Sequence, residues 1–366
     1  MNSYRFKNQR KYRRRRSLIL ATTVLSIIAL VMAGYLYLNR DKANGVDAPA
    51  SSTQTLDVPA NASAGNTAKV TDNVDTVLPT DSTAKVSTPG ADSKGVYTKD
   101  HGYLPKVGSV AKSGKMEELR KLISDYTAKL PGKYGVTYID LATGEMVNVN
   151  DKIEYIAAST SKLPVNVLLY KNIEAGKISL EDKLVYMKED LELGTGTIIG
   201  TPFGTEYTVR ETSKLNMVKS DNCGVNMLIR LLGIENVRNY IDEVGGQVHY
   251  GKTHRSCPYD MAQIAQDLYK LYLNNEDVYG ELLYNMENSD WHDRIDAKLP
   301  KDIKVAHKIG NQITTRNDVG IVFATHPYVL SIMSDNVNID AATKSIADLS
   351  KKIYDFVEDY AVEIIP

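Results

Sequence analysis

The sequence predicts an α+β domain carried behind an N-terminal transmembrane anchor. Residues between about 159 and 288 are mainly helical by their apolar pattern, whereas strand patterns occur before and after them. Strands from the two ends of such a domain can share one antiparallel sheet, with the helices forming a second lobe. We therefore expect a five-stranded antiparallel sheet, built from both chain ends, and an all-α lobe.

The anchor is predicted from the first 38 of the 366 residues. The segment 1–16 is basic, and 17–38 is uncharged and mostly Leu, Ile, Val and Ala. At about 1.5 Å per residue, a helix over 17–38 would reach roughly 30 Å, which is the thickness of a bilayer core. The basic flank places 1–16 in the cytoplasm of a bacterial cell and the rest of the chain outside.

A cleavable signal peptide is the alternative interpretation of this segment. Its apolar part would span about 7–15 residues and end at small residues. Here the apolar run passes Ala33 and Gly34 and continues to Leu38, which favours an uncleaved anchor. A basic tail alone would also fit nucleic-acid binding, but the anchor that follows excludes this partner, as does the net charge of −1.

The exported part divides into a linker and a folded domain. Residues 41–94 are rich in Ser, Thr, Ala, Asp and Pro and contain no aromatic residue, so they cannot bury enough apolar surface to fold. We predict a flexible extracellular linker over 39–112 and a catalytic domain over 113–366. The domain opens with a helix near Met116 and closes with a helix over 341–360, and its five predicted strands are 134–141, 146–149, 303–308, 318–324 and 328–333.

Three short motifs in this domain carry candidate chemistry. Ser159-Thr160-Ser161-Lys162 lies at a predicted helix start, where residues three apart share one face, so Lys162 can reach the Ser159 hydroxyl. A buried lysine has a lowered pKa and can accept a proton. Taken alone, the motif is better explained as an N-cap serine followed by a surface lysine.

The other two motifs lie further along the chain. Ser220-Asp221-Asn222 separates two helical segments, and Lys308-Ile309-Gly310 ends a predicted strand. Each is unremarkable by itself, because the first fits an ordinary helix cap and the second an ordinary strand end. Their order and separation, together with Ser159 and Lys162, are more informative than any of them singly.

In this order the motifs resemble the S-x-x-K, S-D-N and K-T-G motifs of class A β-lactamases and penicillin-binding proteins. The resemblance covers about 115–360 and implies a β-lactamase/transpeptidase-like fold. It implies that Ser159 is the acylated nucleophile, with Lys162 as its base. Ser220 would relay a proton to the leaving nitrogen, and Lys308 would supply positive charge for the substrate carboxylate.

The same resemblance implies further substrate contacts. Asn222, Gly310 and Asn311 would bind substrate, and the backbone N–H groups of Ser159 and Asn311 would form the oxyanion hole. Asn226 matches an asparagine that braces the Ω-loop in that family.

Two features depart from the family pattern. Ile309 replaces a hydroxyl residue that helps to bind the substrate carboxylate, a loss worth about 1.5–3 kcal/mol, which Thr314, Thr315 or Arg316 could offset. The segment 245–258 carries no acidic residue, whereas class A enzymes hold there the glutamate that activates the deacylating water. His249 and His254 are candidate replacement bases or plain surface residues, and Glu243 is a weaker candidate.

The predicted function is therefore hydrolysis of β-lactams or related cell-wall amides, as in antibiotic resistance, with a slow deacylation step. A D-Ala-D-Ala carboxypeptidase or endopeptidase is one alternative, and a catalytically weak wall-peptide-binding scaffold or sensor is another. No cofactor and no metal is expected, because the six histidines lack ligand spacing and Trp291-His292-Asp293 is interpreted as packing at a helix start. Cys223 and Cys257 are a possible disulfide in an exported domain.

Overall fold

A computed structural model of the chain describes Tyr103, residues 112–247 and residues 254–364. The predicted tail, anchor and nearly all of the predicted linker lie outside these residues. Among the described helices, none has the length and apolar character that a membrane span requires.

As the sequence predicts, the strands of the main sheet come from the two ends of the domain and most of the described helices lie between them in the chain. The helices are α1 (Met116–Thr127), α2 (Lys162–Glu174), α3 (Val209–Val218), α4 (Asn222–Leu232), α5 (Ile234–Glu243), α6 (Pro258–Asn274), α7 (Glu276–Glu287) and α8 (Ile339–Ile364). The strands are β1 (Lys133–Asp140), β2 (Met146–Val149), β3 (Tyr155–Ile156), β4 (Lys183–Val185), β5 (Glu206–Thr208), β6 (Arg255–Ser256), β7 (Val305–Gln312), β8 (Thr315–Val322) and β9 (Tyr328–Asp335). Three short 3-10 helices cover Ala158–Ser161, Lys188–Asp190 and Ile198–Gly200.

The main sheet has five antiparallel strands in the order β2-β1-β9-β8-β7. The prediction of a five-stranded sheet from both chain ends is confirmed. β1 and β2 come from the N-terminal end of the domain, and β7 to β9 come from its C-terminal end. β7 is an edge strand, so one side of it is open to a neighbouring element.

Each face of the sheet is covered by helices. On one face α1 and α8 pack against the strands, and the shared core includes Leu119, Val136 and Leu349. On the other face lies the helical lobe, with α2 at its centre and eight of the thirteen α2 residues buried. Because both faces of the sheet are covered, side chains on both sides of a strand are buried, and seven of the eight residues of β1 are buried.

Local capping explains where the helices near the second motif begin. Thr208 accepts a hydrogen bond from the Glu211 backbone N–H, and the Glu211 carboxylate accepts one from the Thr208 backbone N–H at 2.7 Å, so α3 starts with a capping box. Asp221 caps α4 by accepting from the Gly224 N–H at 2.9 Å. These two caps place Ser220 in the short turn between the helices.

Two sequence predictions differ from the structure in detail. The strand predicted over 303–308 extends to Gln312, because β7 and β8 stay paired up to the two-residue turn at Ile313 and Thr314. The segment Trp291-His292-Asp293 does not begin a helix, since the described residues between α7 and β7 form only turns and bends.

Candidate active site

Ser159 lies in the 3-10 turn that leads from β3 into α2. Ala158, just before it, has a positive φ of 49°, an uncommon backbone conformation for a residue with a side chain. Such strained positions concentrate at functional sites. Ser159 is partly exposed, whereas Thr160 and Ser161 are buried, so of these three side chains Ser159 is the most accessible to a substrate.

Lys162 is the hub of the polar groups around Ser159. Its Nζ lies 2.9 Å from Ser159 Oγ, 2.7 Å from Asn222 Oδ1 and 3.4 Å from Ser220 Oγ. Burial lowers the pKa of Lys162 to about 8, although the negative charges of Glu192 and Asp221 act against the shift. A lysine with this pKa is neutral in a useful fraction of molecules near neutral pH and can accept the Ser159 proton.

Ser220 lies between two lysines. Its Oγ is 3.0 Å from Lys308 Nζ, and Lys162 approaches it from the other side. Burial and the nearby Lys162 charge hold the pKa of Lys308 well below its usual range. Ser220 itself has a positive φ of 52°, and Thr195 fixes it by donating to its carbonyl oxygen at 2.7 Å.

Strand β7 passes close to the turn that carries Ser159, and Gly310 makes this approach possible. A Cβ at position 310 would lie 2.6 Å from the Ala157 carbonyl oxygen and 3.2 Å from the Thr160 backbone nitrogen. No side chain fits there, which explains the glycine of the third motif. The next residue, Asn311, is exposed and faces the cleft together with Ser159.

A cleft of about 540 Å³ opens beside Ser159. Its lining combines residues in and beside the first two motifs, the two residues that follow the third motif, and two further segments of the chain. It is lined by Ile156, Ala158, Ser159, Ser161, Lys162, Glu192, Leu193, Asn222, Val225, His254, Arg255, Asn311 and Gln312. The structure thus brings Ser159, Lys162, Ser220, Asn222, Lys308 and Asn311 together, as their predicted roles require.

The described partners of Asn226 lie in the loop that follows Asp190, whereas part of the segment 245–258 lies outside the described residues. Its Nδ2 donates to the Asp190 carbonyl oxygen at 3.2 Å and to Glu192 Oε2 at 3.1 Å. Asn222 holds the same loop, because its Nδ2 donates to the Leu193 carbonyl oxygen at 3.0 Å. These bonds place Glu192 at the cleft, where it is the one carboxylate among the described lining residues.

The three residues considered as replacement bases occupy different places. His254 lines the cleft with a positive φ of 47°, and His249 lies outside the described residues. Glu243 ends α5, is largely exposed and pairs with Lys171 at 3.3 Å, away from the cleft lining. The sequence did not single out Glu192, which comes from a loop with no recognisable motif.

Ile309 is buried and does not line the cleft. Three residues were expected to offset the missing hydroxyl at position 309, and none of them lines the cleft: Thr314, Thr315 and Arg316. The Arg316 guanidinium donates instead to the Gln312 and Thr315 carbonyl oxygens.

Arg294 is a second residue that the sequence did not indicate. It is fully buried, and its Nη2 donates to Asn311 Oδ1 at 2.5 Å while Nη1 donates to the Asn317 carbonyl oxygen at 3.0 Å. It therefore fixes the side chain of a cleft residue and adds positive charge behind it. No motif could have identified Arg294, because its neighbours in sequence form no regular element.

The possible disulfide is not formed. Cys223 and Cys257 are both buried free thiols, and Cys223 Sγ lies 3.5 Å from the Tyr186 hydroxyl. Burial raises the pKa of Cys257 to about 12, so its thiol stays protonated.

Comparison with known proteins agrees with this geometry. Residues 115–357 match the model of the beta-lactamase enzyme family. The chain belongs to this family. Relatives within it include Beta-lactamase VEB-1 of Pseudomonas aeruginosa, which is 22% identical in a match covering 60% of this chain and 81% of that protein. A beta-lactamase of Streptomyces albus G is 23% identical, over 63% of this chain and 81% of its own.

Several solved structures share the fold. PBP-A superposes with a TM-score of 0.63 at 23% identity, covering 66% of this chain and 96% of its own. The TLA-3 extended-spectrum beta-lactamase gives 0.61 at 24% identity, over 66% of this chain and 99% of its own. A variant of PBP-A, with a TM-score of 0.63 at 22% identity over 67% and 97% of the two chains, is described as an acyl-enzyme complex with penicillin-G.

Proposed function

We propose that the chain is a class A β-lactamase-like serine hydrolase that forms an acyl-enzyme at Ser159 with β-lactams or related cell-wall amides. The observation that carries the proposal is the line of polar contacts from Ser159 through Lys162 and Ser220 to Lys308. It places a base beside the nucleophile and a proton donor beside the expected leaving group.

Acylation follows from these contacts. Neutral Lys162 accepts the Ser159 proton as Ser159 Oγ attacks the carbonyl carbon of the amide. The backbone N–H groups of Ser159 and Asn311 stabilise the resulting oxyanion. When the C–N bond breaks, Ser220 gives its hydroxyl proton to the leaving nitrogen and regains one from Lys162, while the charge of Lys308 attracts the substrate carboxylate.

Deacylation needs a base that activates water. We assign this role to Glu192, because it is the carboxylate of the described cleft lining and Asn226 holds its Oε2 at 3.1 Å. Its carboxylate is exposed and comes from a loop, so we expect slow hydrolysis of the acyl-enzyme rather than fast antibiotic turnover.

Two alternatives keep the same cleft. A D-Ala-D-Ala carboxypeptidase or endopeptidase would use the same acylation residues on wall peptides. A wall-peptide-binding scaffold or sensor without catalysis is supported by Ile309, which leaves the third motif without its hydroxyl.

One pair of substrates separates these functions. The full chain, purified in a mild detergent, is incubated with a fluorescent penicillin and, separately, with a chromogenic cephalosporin. We expect a covalent adduct with slow cephalosporin turnover, both absent in Ser159→Ala and retained in Ser179→Ala, a control at an exposed serine. A stable adduct without turnover points to the wall-peptide enzyme, and neither adduct nor turnover points to the scaffold. Labelling that survives Ser159→Ala contradicts the proposed nucleophile.

We also propose, from the sequence, that 17–38 anchors the domain on the outer face of a bacterial membrane. Cell fractionation with alkaline extraction tests this. The chain should stay with the membranes, and deletion of 1–38 should release it.

A further inference from the structure

A cluster of three potential metal ligands lies outside the cleft lining. His292 and Asp296 come from the turn segment between α7 and β7, and His307 comes from β7. One ligand atom from each residue lies within 4.8 Å of the others. The exposed fraction of the side chain falls from 50% at His292 to 15% at Asp296 and 0% at His307, so the cluster extends from the surface into the core.

His307 is oriented for a ligand. Its Nδ1 lies 3.0 Å from both carboxylate oxygens of Asp318, which fixes the ring from one side. Its Nε2 is buried, has no hydrogen-bond partner and faces Asp296 Oδ2 at 3.8 Å. A histidine held by a carboxylate through one nitrogen, with the other nitrogen free, is the usual arrangement around a protein-bound metal ion.

Asp296 presents its carboxylate to both histidines. Oδ2 forms a close hydrogen bond with His292 Nδ1, while Oδ1 is buried and has no hydrogen-bond partner. A buried carboxylate oxygen without a partner is costly unless a donor or a cation satisfies it. Asp296 therefore has unused coordinating capacity that points to a cation.

The segment that carries His292 and Asp296 is firmly held although it has no regular structure. The Ile295 N–H donates to Asp318 at 3.0 Å, and Ser350 Oγ donates to the Ile295 carbonyl oxygen at 2.6 Å. Arg294 is bound to β8 through the Asn317 carbonyl oxygen. Such a frame limits the ordering cost of bringing the ligands together.

We propose that His292, Asp296 and His307 bind a zinc ion. Two imidazole nitrogens and one carboxylate oxygen are a donor set that Zn²⁺ takes, with a solvent water as the fourth ligand on the exposed side of His292. Ligand atoms around tetrahedral zinc lie about 3.3 Å apart. The 3.8 Å gap between His307 and Asp296 is therefore closed by a small contraction.

The proposed site lies next to the catalytic strand but not in the cleft. His307 directly precedes Lys308 in β7, and successive side chains of a strand point to opposite faces. Bound zinc would fasten the 291–296 segment to the edge strand. The spacing of histidines in the sequence did not indicate this site, because the ligands come from two segments that meet only in the fold.

The test is metal binding by the full chain in mild detergent after treatment with a chelator. Calorimetric titration with Zn²⁺ should show one saturable equivalent, and Co²⁺ in its place should give the visible absorption of a four-coordinate site. His292→Ala and Asp296→Asn should each weaken binding at least about tenfold. Asp302→Asn, which removes a carboxylate from the same segment outside the cluster, should leave binding unchanged.

Two results overturn the proposal. One is the absence of saturable binding, which would leave His307 as a histidine paired with its two carboxylates only. The other is binding that persists in both cluster variants, which would place the metal elsewhere on the chain. The His292 side chain is half exposed, so His292→Ala should have the same melting temperature as the unsubstituted chain. This variant therefore tests zinc binding even if Asp296→Asn does not fold.

Discussion

Two regions of the cleft are built in different ways. The acylation region consists of Lys162, Ser220 and Lys308, which are all at least 97% buried and lie on or beside helices and an edge strand. The second region is the loop 190–198, where Glu192 and Leu193 are exposed and the Glu192 carboxylate accepts a hydrogen bond from Asn226. Burial lowers the pKa of the lysines in the first region, whereas the Glu192 carboxylate in the second region is exposed to solvent.

This difference assigns the two proposed halves of a hydrolytic cycle to side chains of unequal burial. A preorganised, buried group stabilises a transition state more than an exposed one, because the low local dielectric strengthens its interactions. We therefore expect substitutions in the acylation region to have larger effects than those in the loop.

The largest expected effect is that of Lys162→Ala. It removes the base that lies 2.9 Å from Ser159 Oγ, and the acylation rate should fall about 10²–10⁴-fold. The measurement is the rate of fluorescent penicillin incorporation. Lys183→Ala, at an exposed lysine, is the control and should label at the normal rate. Normal labelling of Lys162→Ala would show that another group takes the proton.

Gly310→Ala should have the next largest effect. The new Cβ would meet the Ala157 carbonyl oxygen at 2.6 Å, so β7 or the Ser159 turn must shift. We expect a loss of about 1–3 kcal/mol in the free energy of unfolding and slower labelling. Gly200→Ala is the matched control, since its Cβ would enter open space. Equal behaviour of the two variants would mean that the close approach of β7 does not matter for acylation.

The same contrast explains what the sequence could predict. The sheet, its two-ended origin and the Ser159, Ser220 and Lys308 motifs were predictable, because periodicity and spacing within regular elements determine which side chains share a face. Arg294 and Glu192 were not, since turns and loops carry no period and their positions depend on long-range hydrogen bonds. The resemblance implied that Asn226 braces the Ω-loop, whereas the described partners of Asn226 lie in the loop 190–198.

Glu192→Gln should change deacylation and acylation in different ways. Loss of the carboxylate should lengthen the lifetime of the acyl-enzyme about tenfold, a smaller effect than that of Lys162 because Glu192 is exposed. The negative charge of Glu192 raises the pKa of Lys162 against the effect of burial. Without that charge the pKa of Lys162 falls, so Lys162 is neutral at lower pH and the rising limb of the acylation rate moves to lower pH.

The two readouts are the release of the fluorescent adduct and the pH profile of its formation. Glu189→Gln is the control, because Glu189 is an exposed neighbour that lies 3.5 Å from Arg230 and does not line the cleft. An unchanged acyl-enzyme lifetime would remove Glu192 from deacylation and leave His254 as the candidate base among the described lining residues. An unchanged pH profile would remove its electrostatic effect on Lys162.

The smallest expected effect is that of Asn226→Ala, and it tests whether the position of the Glu192 carboxylate depends on its contact with Asn226. The substitution removes the donor to both the Asp190 carbonyl oxygen and Glu192 Oε2, so Glu192 loses its fixed position. Loss of the exposed hydrogen bond to Glu192 Oε2 corresponds to about a threefold longer acyl-enzyme lifetime. Asn236→Ala, which removes a donor to the Leu232 carbonyl oxygen, is the control.

If Asn226 acts through Glu192, the variant that combines Asn226→Ala and Glu192→Gln should have the same acyl-enzyme lifetime as Glu192→Gln alone. The effects of two substitutions that break the same interaction do not add. Additive effects would mean that Asn226 holds the loop independently of Glu192.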